Sequence, residues 1–161
     1  DLQNKIRGDF MKLSTKGRYG LRAMIDLAVY SEVETVSISS ISERQAISVS
    51  YLEQLVGKLR KAGLVNSIRG AQGGYVLAQK AEDISVGDIL RALEGDLTPV
   101  DCAELSNETS CVGSEFCVTK FVWQRINNSI NEAVNTMMLS ELVDESKKVK
   151  DRDHTNTNCE I

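Results

Sequence analysis

Apolar residues in the first half of the chain recur at three- and four-residue steps, which is typical of amphipathic helices. The pattern in KGRYGLRAMIDLAVYSE predicts a first helix, with Ser14 or Thr15 as its N-terminal cap. VSISSISERQAIS predicts a short second helix, capped by Ser37 or Ser39. SVSYLEQLVGKLRKAG predicts a third helix that ends at Gly63, where glycine favours the left-handed conformation.

The third helix has a single apolar stripe and a predicted cap. Ser50 and Glu53 have the spacing of a capping box, in which each side chain satisfies a backbone donor of the first turn. The apolar stripe consists of Leu52, Leu55, Val56 and Leu59. We therefore expect a helix that is buried on one side and capped at Ser50.

After the third helix the apolar period changes from 3.6 to two. LVNSI and YVLAQ predict two short strands around RGAQGG, a glycine-rich hairpin tip. Three helices and a hairpin, with the second and third helices joined tightly at QAIS, follow the element order of a winged helix-turn-helix. SVGDILRALEG then predicts a fourth helix that ends at Gly95.

A long final helix is predicted by VTKFVWQRINNSINEAVNTMM. Its apolar stripe consists of Val118, Val122, Ile126, Ile130, Ala133 and Met137. Too little chain surrounds this stripe to bury it within one subunit, so we expect a homodimer through this helix. The last fifteen residues are polar and are expected to be disordered.

These elements predict a mainly α fold with a small β-hairpin wing, in which a winged helix-turn-helix is followed by a long C-terminal dimerisation helix. A chain of 161 residues can bury one good core. The predicted segments are a tag or extension (1–10), the winged helix-turn-helix (11–80), a connecting helix (81–100), a cysteine loop (101–117), the dimerisation helix with a packing segment (118–146) and a disordered tail (147–161).

The net charge of −4 is unevenly distributed along the chain. Residues 11–80 carry ten Lys and Arg against five Asp and Glu, a net +5, whereas residues 81–161 carry seven against sixteen, a net −9. A basic first half in an acidic chain favours a local polyanion-binding surface, with ordinary scatter of surface charge as the alternative.

A winged helix-turn-helix places its third helix in the major groove, where each base pair displays a distinct pattern of donors and acceptors. The predicted DNA-binding residues are Ser48, Ser50, Tyr51, Glu53, Gln54, Arg60, Arg69 and Gly70. Glu53 alone could be only a capping partner, Tyr51 a residue at the edge of the core, and RGAQGG a plain turn. Their occurrence together in the basic half favours DNA.

Three of the four cysteines, Cys102, Cys111 and Cys117, lie in one polar segment. The sequence has no pattern of a signal peptide or membrane span, so we expect the cytoplasm and no membrane partner. In that compartment thiols stay reduced, and clustered cysteines more often bind metal or sense redox state than form disulfides. One histidine and no nucleophile–base pair argue against an enzyme.

MKLSTKGRYGLRAMIDLA, ISERQAISVSYLEQLVGKLRKAGLV and SIRGAQGGYVLA closely resemble the IscR-type iron–sulfur cluster regulators, winged helix-turn-helix transcription factors of the Rrf family. The resemblance covers residues 11–93 and resumes in the long helix and LSELV. It implies a homodimeric bacterial transcription factor, mainly a repressor, that binds double-stranded operator DNA. The helix with Ser50 and Glu53 would read the operator, and Arg69 in the wing would enter the adjacent minor groove.

In cluster-binding members of this family three loop cysteines hold an iron–sulfur cluster, and Cys102, Cys111 and Cys117 occupy those places. Soft thiolate ligands match iron in a sulfide cluster. The resemblance favours a [2Fe–2S] cluster over a [4Fe–4S] cluster. The loop departs from the family pattern, because eight rather than five residues separate its first two cysteines and Lys120 stands where a histidine is usual.

The fourth ligand stays open among a residue of the partner subunit, Asp101, Glu108, Glu115 and Cys159. A structural zinc site and free or redox-active thiols are the alternatives to a cluster. The resemblance implies control of iron–sulfur cluster assembly genes, with an iron–sulfur scaffold or carrier protein as the cluster donor. The alternative function is a cluster-independent repressor of cysteine or sulfur metabolism controlled by a partner protein, against which the three loop cysteines argue.

Overall fold

The computed structural model describes residues 13–100 and 117–156, with side chains as far as residue 151. Within these residues a two-stranded antiparallel hairpin follows three helices and precedes three more, with a 3₁₀ turn at Ala81–Asp83. This architecture confirms the predicted fold class. The elements are α1 (Thr15–Tyr30), α2 (Ile38–Gln45), α3 (Val49–Lys61), β1 (Val65–Ile68), β2 (Gly74–Leu77), α4 (Val86–Glu94), α5 (Lys120–Thr136) and α6 (Leu139–Asn156).

The caps of α1 and α2 are among those predicted. The Ser14 hydroxyl accepts from the Lys16 N–H at 3.1 Å, and the Ser37 hydroxyl accepts from the Ser40 N–H at 3.1 Å. The turn between α2 and α3 passes through Ala46, whose φ of 53° lies in the left-handed region that alanine rarely adopts. This short turn fixes where α3 begins.

The capping box predicted at Ser50 and Glu53 is wrong. Ser48 already has the extended backbone of an N-cap, so α3 starts at Val49, Ser50 lies inside the first turn and Glu53 in the second. A capping box occurs instead at α4, where Ser85 and Asp88 exchange hydrogen bonds of 2.9 and 3.0 Å with each other's backbone N–H groups. The side chains of Ser50 and Glu53 are therefore not needed to start α3.

The core lies where α1, α3 and α4 meet. The predicted stripe of α3 is buried, together with Met24 and Leu27 of α1 and Ile89 and Leu93 of α4. Gly20 faces Leu93 so closely that a β-carbon there would collide with the leucine side chain. Close packing of this kind makes α1 and α4 one rigid layer.

The tail predicted to be disordered from residue 147 is helical as far as Asn156, because α6 continues through it. Leu139 and Val143 anchor α6 in the core. Further along, Lys147 lies 3.8 Å from Glu32, and the Lys150 ammonium donates to the Tyr30 hydroxyl at 2.9 Å. Partners distant in sequence therefore order a polar segment that the local pattern assigned to disorder. The rest of the predicted tail, residues 157–161, and the predicted extension 1–10 lie outside the described residues.

A polar stripe on α1 fastens the helix-turn-helix. Asp26 is 4% exposed and accepts three hydrogen bonds of 2.6 to 3.1 Å from Arg44 and one of 2.9 Å from Gln45. The hydrogen bond to Asp26 raises the pKa of the Arg44 guanidinium, which also stacks 4.0 Å from the Tyr30 ring centre. Five polar and aromatic residues lie along the same side of α1, and we call them the α1 polar stripe: Thr15, Tyr19, Arg22, Asp26 and Tyr30.

No helix among the described residues is sufficiently long and apolar to cross a membrane.

Replacing Arg44 by alanine should lower the free energy of unfolding by about 3 kcal/mol, because a buried carboxylate would keep only the Gln45 amide as its partner. Denaturant unfolding monitored by circular dichroism measures this loss. Lys148→Ala is the control, since its ion pair with Glu145 is exposed and should contribute nothing measurable. Equal stability of the Arg44→Ala variant and the wild type would show that the ion pair does not hold α2 on α1.

Candidate nucleic-acid interface and cysteine site

Most of the predicted base-reading residues share the exposed face of α3. Ser50, Glu53 and Gln54 are exposed at three- and four-residue steps, opposite the buried stripe. Ser48 is also exposed, and its side chain makes no capping hydrogen bond. Arg60 is exposed in the last turn. This face of α3 thus carries hydroxyl, carboxylate and amide groups near its N-terminus and a cation near its C-terminus.

Tyr51 differs from its neighbours because it is only partly exposed and packs against α1. Its hydroxyl lies 3.1 Å from the Thr15 hydroxyl oxygen, and its ring meets Tyr19 edge to face at 6.1 Å between ring centres. Tyr51 therefore attaches the first turn of α3 to the α1 polar stripe, which agrees with the alternative in which it lies at the edge of the core.

Gly57 is a residue of this face that sequence reasoning missed. It is exposed in the middle of α3, and a β-carbon built there would meet no atom within 4 Å. Glycine costs a helix interior about 1 kcal/mol relative to alanine. No contact within the described chain explains that cost, and a glycine at such a place in a helix was the signal available in the sequence.

The wing is a tight hairpin whose tip is exposed. Strands β1 and β2 pair in antiparallel register, and Arg69 and Gly70 lie exposed at the tip. Gly70 has a φ of +122°, which requires glycine. The base of the wing is fastened to the chain before α2, since Val36 and Tyr75 exchange backbone hydrogen bonds of 2.8 and 2.9 Å. Arg69 is thus carried at a fixed distance from the body of the domain.

Exposed charge on this part of the chain is almost entirely positive. Between residues 46 and 80 Glu53 is the one acidic residue. The cations in the same range are all exposed, and they are Lys58, Arg60, Lys61, Arg69 and Lys80. Such a surface attracts a polyanion, and a single carboxylate within it stands where phosphates would repel it.

Cys117 is the one cysteine that the described residues include, and its environment favours the thiolate. Its sulfur lies 3.1 Å from the Thr119 hydroxyl oxygen. Hydrogen bonds from Thr119 and from the Lys120 backbone lower the pKa of the thiol, and the Lys120 charge adds to this effect. A thiolate is the form that binds iron or zinc, so the donor chemistry at this position fits a metal centre.

The other predicted ligands lie outside the described residues, namely Cys102, Cys111, Asp101, Glu108, Glu115 and Cys159. Within residues 13–100 and 117–151 no three metal-binding side chains come together. Lys120, which stands where the resemblance implies a histidine, is only partly exposed and lies 5.7 Å from the Phe121 ring centre.

The first turn of α1 is held by a carboxylate from the last residue of α4. Glu94 Oε1 accepts from the Ser14 N–H at 3.0 Å and from the Gly17 N–H at 2.8 Å. The Ser14 hydroxyl donates to the same carboxylate, at 2.7 and 2.8 Å from its two oxygens. Sequence reasoning missed this contact because its partners are 77 and 80 positions apart.

Helix α5 leaves much of its predicted stripe uncovered by the described chain. None of its residues is buried, and Phe121 and Val122 are 64% and 51% exposed. Ile126 and Ile130 are partly exposed, while Val118 and Met137 at the ends of the stripe are 78% and 43% exposed. An apolar helix face of this kind is typical of an interface.

The chain matches a family model described as "Rrf2: Iron-dependent Transcriptional regulator" over residues 13–145. It is 42% identical over 149 residues to the HTH-type transcriptional regulator IscR of Pectobacterium atrosepticum, with 91% of this chain and 89% of the relative covered.

Two solved structures have the same fold. T. potens IscR has a TM-score of 0.69 and 45% identity, covering 86% of this chain and 90% of its own. CymR, described as the global cysteine regulator of B. subtilis, also has a TM-score of 0.69, with 42% identity over 83% of this chain and 97% of its own. The fold is thus common to two regulators that carry different names.

Proposed function

The chain belongs to the Rrf2 family of transcriptional regulators, and we propose that it is a homodimeric, operator-binding regulator, mainly a repressor, controlled by an iron–sulfur cluster. The exposed polar face of α3 beside a cationic wing tip is the observation that carries the proposal. Because this is a family of regulators and not of enzymes, the expectation that the chain has no enzymatic activity is confirmed. A cytoplasmic location goes with the proposed function.

The DNA-binding part of the proposal divides the contacts by chemistry. Ser50, Glu53 and Gln54 would face base edges in the major groove, with Ser48 and Tyr51 beside them at the start of the helix. Arg60 would contact phosphate, and Arg69 with Gly70 would contact the adjacent minor groove or its phosphates. The absence of a side chain at Gly57 would let the groove wall come close to α3.

The cluster part rests on the donor set and on the relatives. Cys102, Cys111 and Cys117 would hold the iron, and the Thr119 hydroxyl with the Lys120 backbone would keep Cys117 in its thiolate form. A bound cluster would supply an oxidant-sensitive centre. We propose a [2Fe–2S] rather than a [4Fe–4S] cluster, iron–sulfur cluster assembly genes as targets and an iron–sulfur scaffold or carrier protein as the donor, because the sequence is similar to that of regulators named IscR.

A second candidate is a cluster-independent repressor of cysteine or sulfur metabolism controlled by a partner protein. It is favoured by the similarity to CymR, whose TM-score equals that of T. potens IscR. The three cysteines of the 102–117 segment argue against it, since a repressor of this kind has no use for a thiolate cluster.

Anaerobic purification and reconstitution with iron and sulfide test the choice. We expect a coloured protein with iron and acid-labile sulfide in the wild type and in a Lys148→Ala control, whose substitution lies on the exposed side of α6. The triple variant of Cys102, Cys111 and Cys117 to serine should lose both. A colourless, iron-free wild type that still selects a specific duplex from a random pool would favour the cluster-independent repressor.

Arg69→Ala should weaken binding to the selected operator by about 5- to 150-fold, the loss of a good groove contact. The fold should be unaffected, because Arg69 is exposed at the wing tip. Fluorescence anisotropy at fixed salt measures the affinity, with Lys148→Ala on α6 as the matched loss of a cation outside the interface. Equal affinities of Arg69→Ala and Lys148→Ala would mean that the wing does not contact DNA.

Glu53→Ala should relax sequence preference rather than weaken binding generally. A carboxylate near phosphates is favourable only where it accepts from a cytosine amino group, so its removal should raise affinity for sites that lack that base. Thermal stability should hardly change, since Glu53 is not a capping residue.

Binding to a panel of singly substituted operators, with Glu82→Ala as an exposed control, measures the Glu53 effect. An unchanged preference across the panel would exclude Glu53 from base reading.

Val122→Asp combined with Ile130→Asp should produce monomers, because charges would replace apolar side chains on the proposed dimer face of α5. Sedimentation velocity reports the mass. Val149→Asp is the matched control, since Val149 on α6 is 53% exposed against 51% for Val122. Dimers that survive the double substitution would place the interface elsewhere.

A further inference from the structure

The Glu94 carboxylate supplies the part of a capping box that α1 lacks, in addition to the local Ser14 cap. In a capping box the third helical residue is Glu or Gln, and its side chain reaches back to the N–H of the N-cap residue. In α1 that third residue is Gly17, which has no side chain. Glu94 provides the carboxylate from another helix, and it accepts from the Ser14 N–H and the Gly17 N–H.

Gly17 also leaves the space that this carboxylate fills. A β-carbon at residue 17 would lie 2.7 Å from Glu94 Oε1, which is too close for both atoms to stay in place. Residue 17 as glycine and residue 94 as glutamate are therefore complementary, and the first turn of α1 cannot move without breaking hydrogen bonds to the end of α4.

The same turn of α1 contacts the reading helix. Thr15, directly after Ser14, has its hydroxyl oxygen 3.1 Å from the Tyr51 hydroxyl oxygen in the first turn of α3. Two hydrogen-bonded links, Glu94 to Ser14 and Thr15 to Tyr51, thus join the end of α4 to the start of α3. In the other direction, α4 ends at Glu94 and Cys102 follows eight positions later.

We propose that Glu94 is the positioning residue that connects the cysteine segment to the DNA-reading helix, an inference that rests on the proposed control by that segment. A change at the cysteines that shifts the end of α4 shifts the Glu94 carboxylate. The first turn of α1 follows it, and the Thr15–Tyr51 contact then changes where α3 begins. Glu94 contacts no DNA in this mechanism and acts through Ser14 and Thr15.

A double-mutant cycle on operator affinity tests the link within the metal-free protein. Glu94→Gln and Thr15→Val should each weaken binding about three- to tenfold, because each breaks one step of the same connection. The dissociation constant of the double variant should exceed that of the more weakly binding single variant by no more than about twofold. Glu82 is an exposed glutamate on the 3₁₀ turn, so Glu82→Gln is the control and should bind like the wild type. Multiplicative effects of the two substitutions would overturn the link.

Gly17→Ala separates positioning from stability. Alanine at residue 17 favours the helix but displaces the Glu94 carboxylate, so thermal stability reports the sum of a gain and a loss. A purely structural role of this turn predicts that only thermal stability changes and that the folded protein keeps wild-type operator affinity. A positioning role predicts the loss of affinity seen for Glu94→Gln, measured well below the melting temperature. Wild-type affinity in Gly17→Ala would contradict the proposal.

Comparison of metal-free protein with protein reconstituted with iron and sulfide tests the connection to the cysteines. The ratio of the two operator affinities should differ from one in the wild type and in Glu82→Gln, and should approach one in Glu94→Gln. A wild-type ratio of one would contradict the proposed cluster control, while the mutant cycle would still decide the link from Glu94 to α3. A ratio that differs from one and is unchanged in Glu94→Gln would overturn the role of Glu94 and leave cluster control standing.

Discussion

The ion pair between Asp26 and Arg44 joins α1 to α2, and the placement of α3 and the wing depends on this contact. The Asp26 side chain is 1% exposed, and a charge in that position is tolerated only while its partner is held against it. Gln45 and Tyr30 hold both members of the pair. Since α3 follows α2 after a short turn through Ala46, the position of α2 on α1 also determines the direction of the α3 axis.

This constraint leaves the outer face of α3 free for a partner. Its inner stripe is buried, its start is held to α1 through Tyr51, and the α3 capping box predicted from the sequence is absent. Ser50 and Glu53 therefore have no structural task in the described chain. A face with polar groups in its first turns, cations at its end and a cationic wing beyond it suits DNA better than a protein surface or a membrane.

The sequence predicted what local patterns determine and missed what distant contacts determine. Helix periods, the left-handed stop at Gly63 and the antiparallel hairpin follow from neighbouring residues and were predicted correctly. The helical continuation of α6 was missed because Lys150 finds Tyr30 far away in the sequence. Ser50 and Glu53 have the spacing of a cap, but the helix starts two residues earlier, and Glu94 acts on α1 from 80 positions away.

Hydrogen–deuterium exchange of the protein before and after reconstitution with iron and sulfide tests most directly whether α1 carries a change at the cysteines to the reading helix. We predict altered exchange in the first turns of α1 and α3, together with the residues around the cysteines, and unaltered exchange in the buried middle of α3. Changes confined to residues 95–120, with the starts of α1 and α3 unaffected, would contradict the central role of α1.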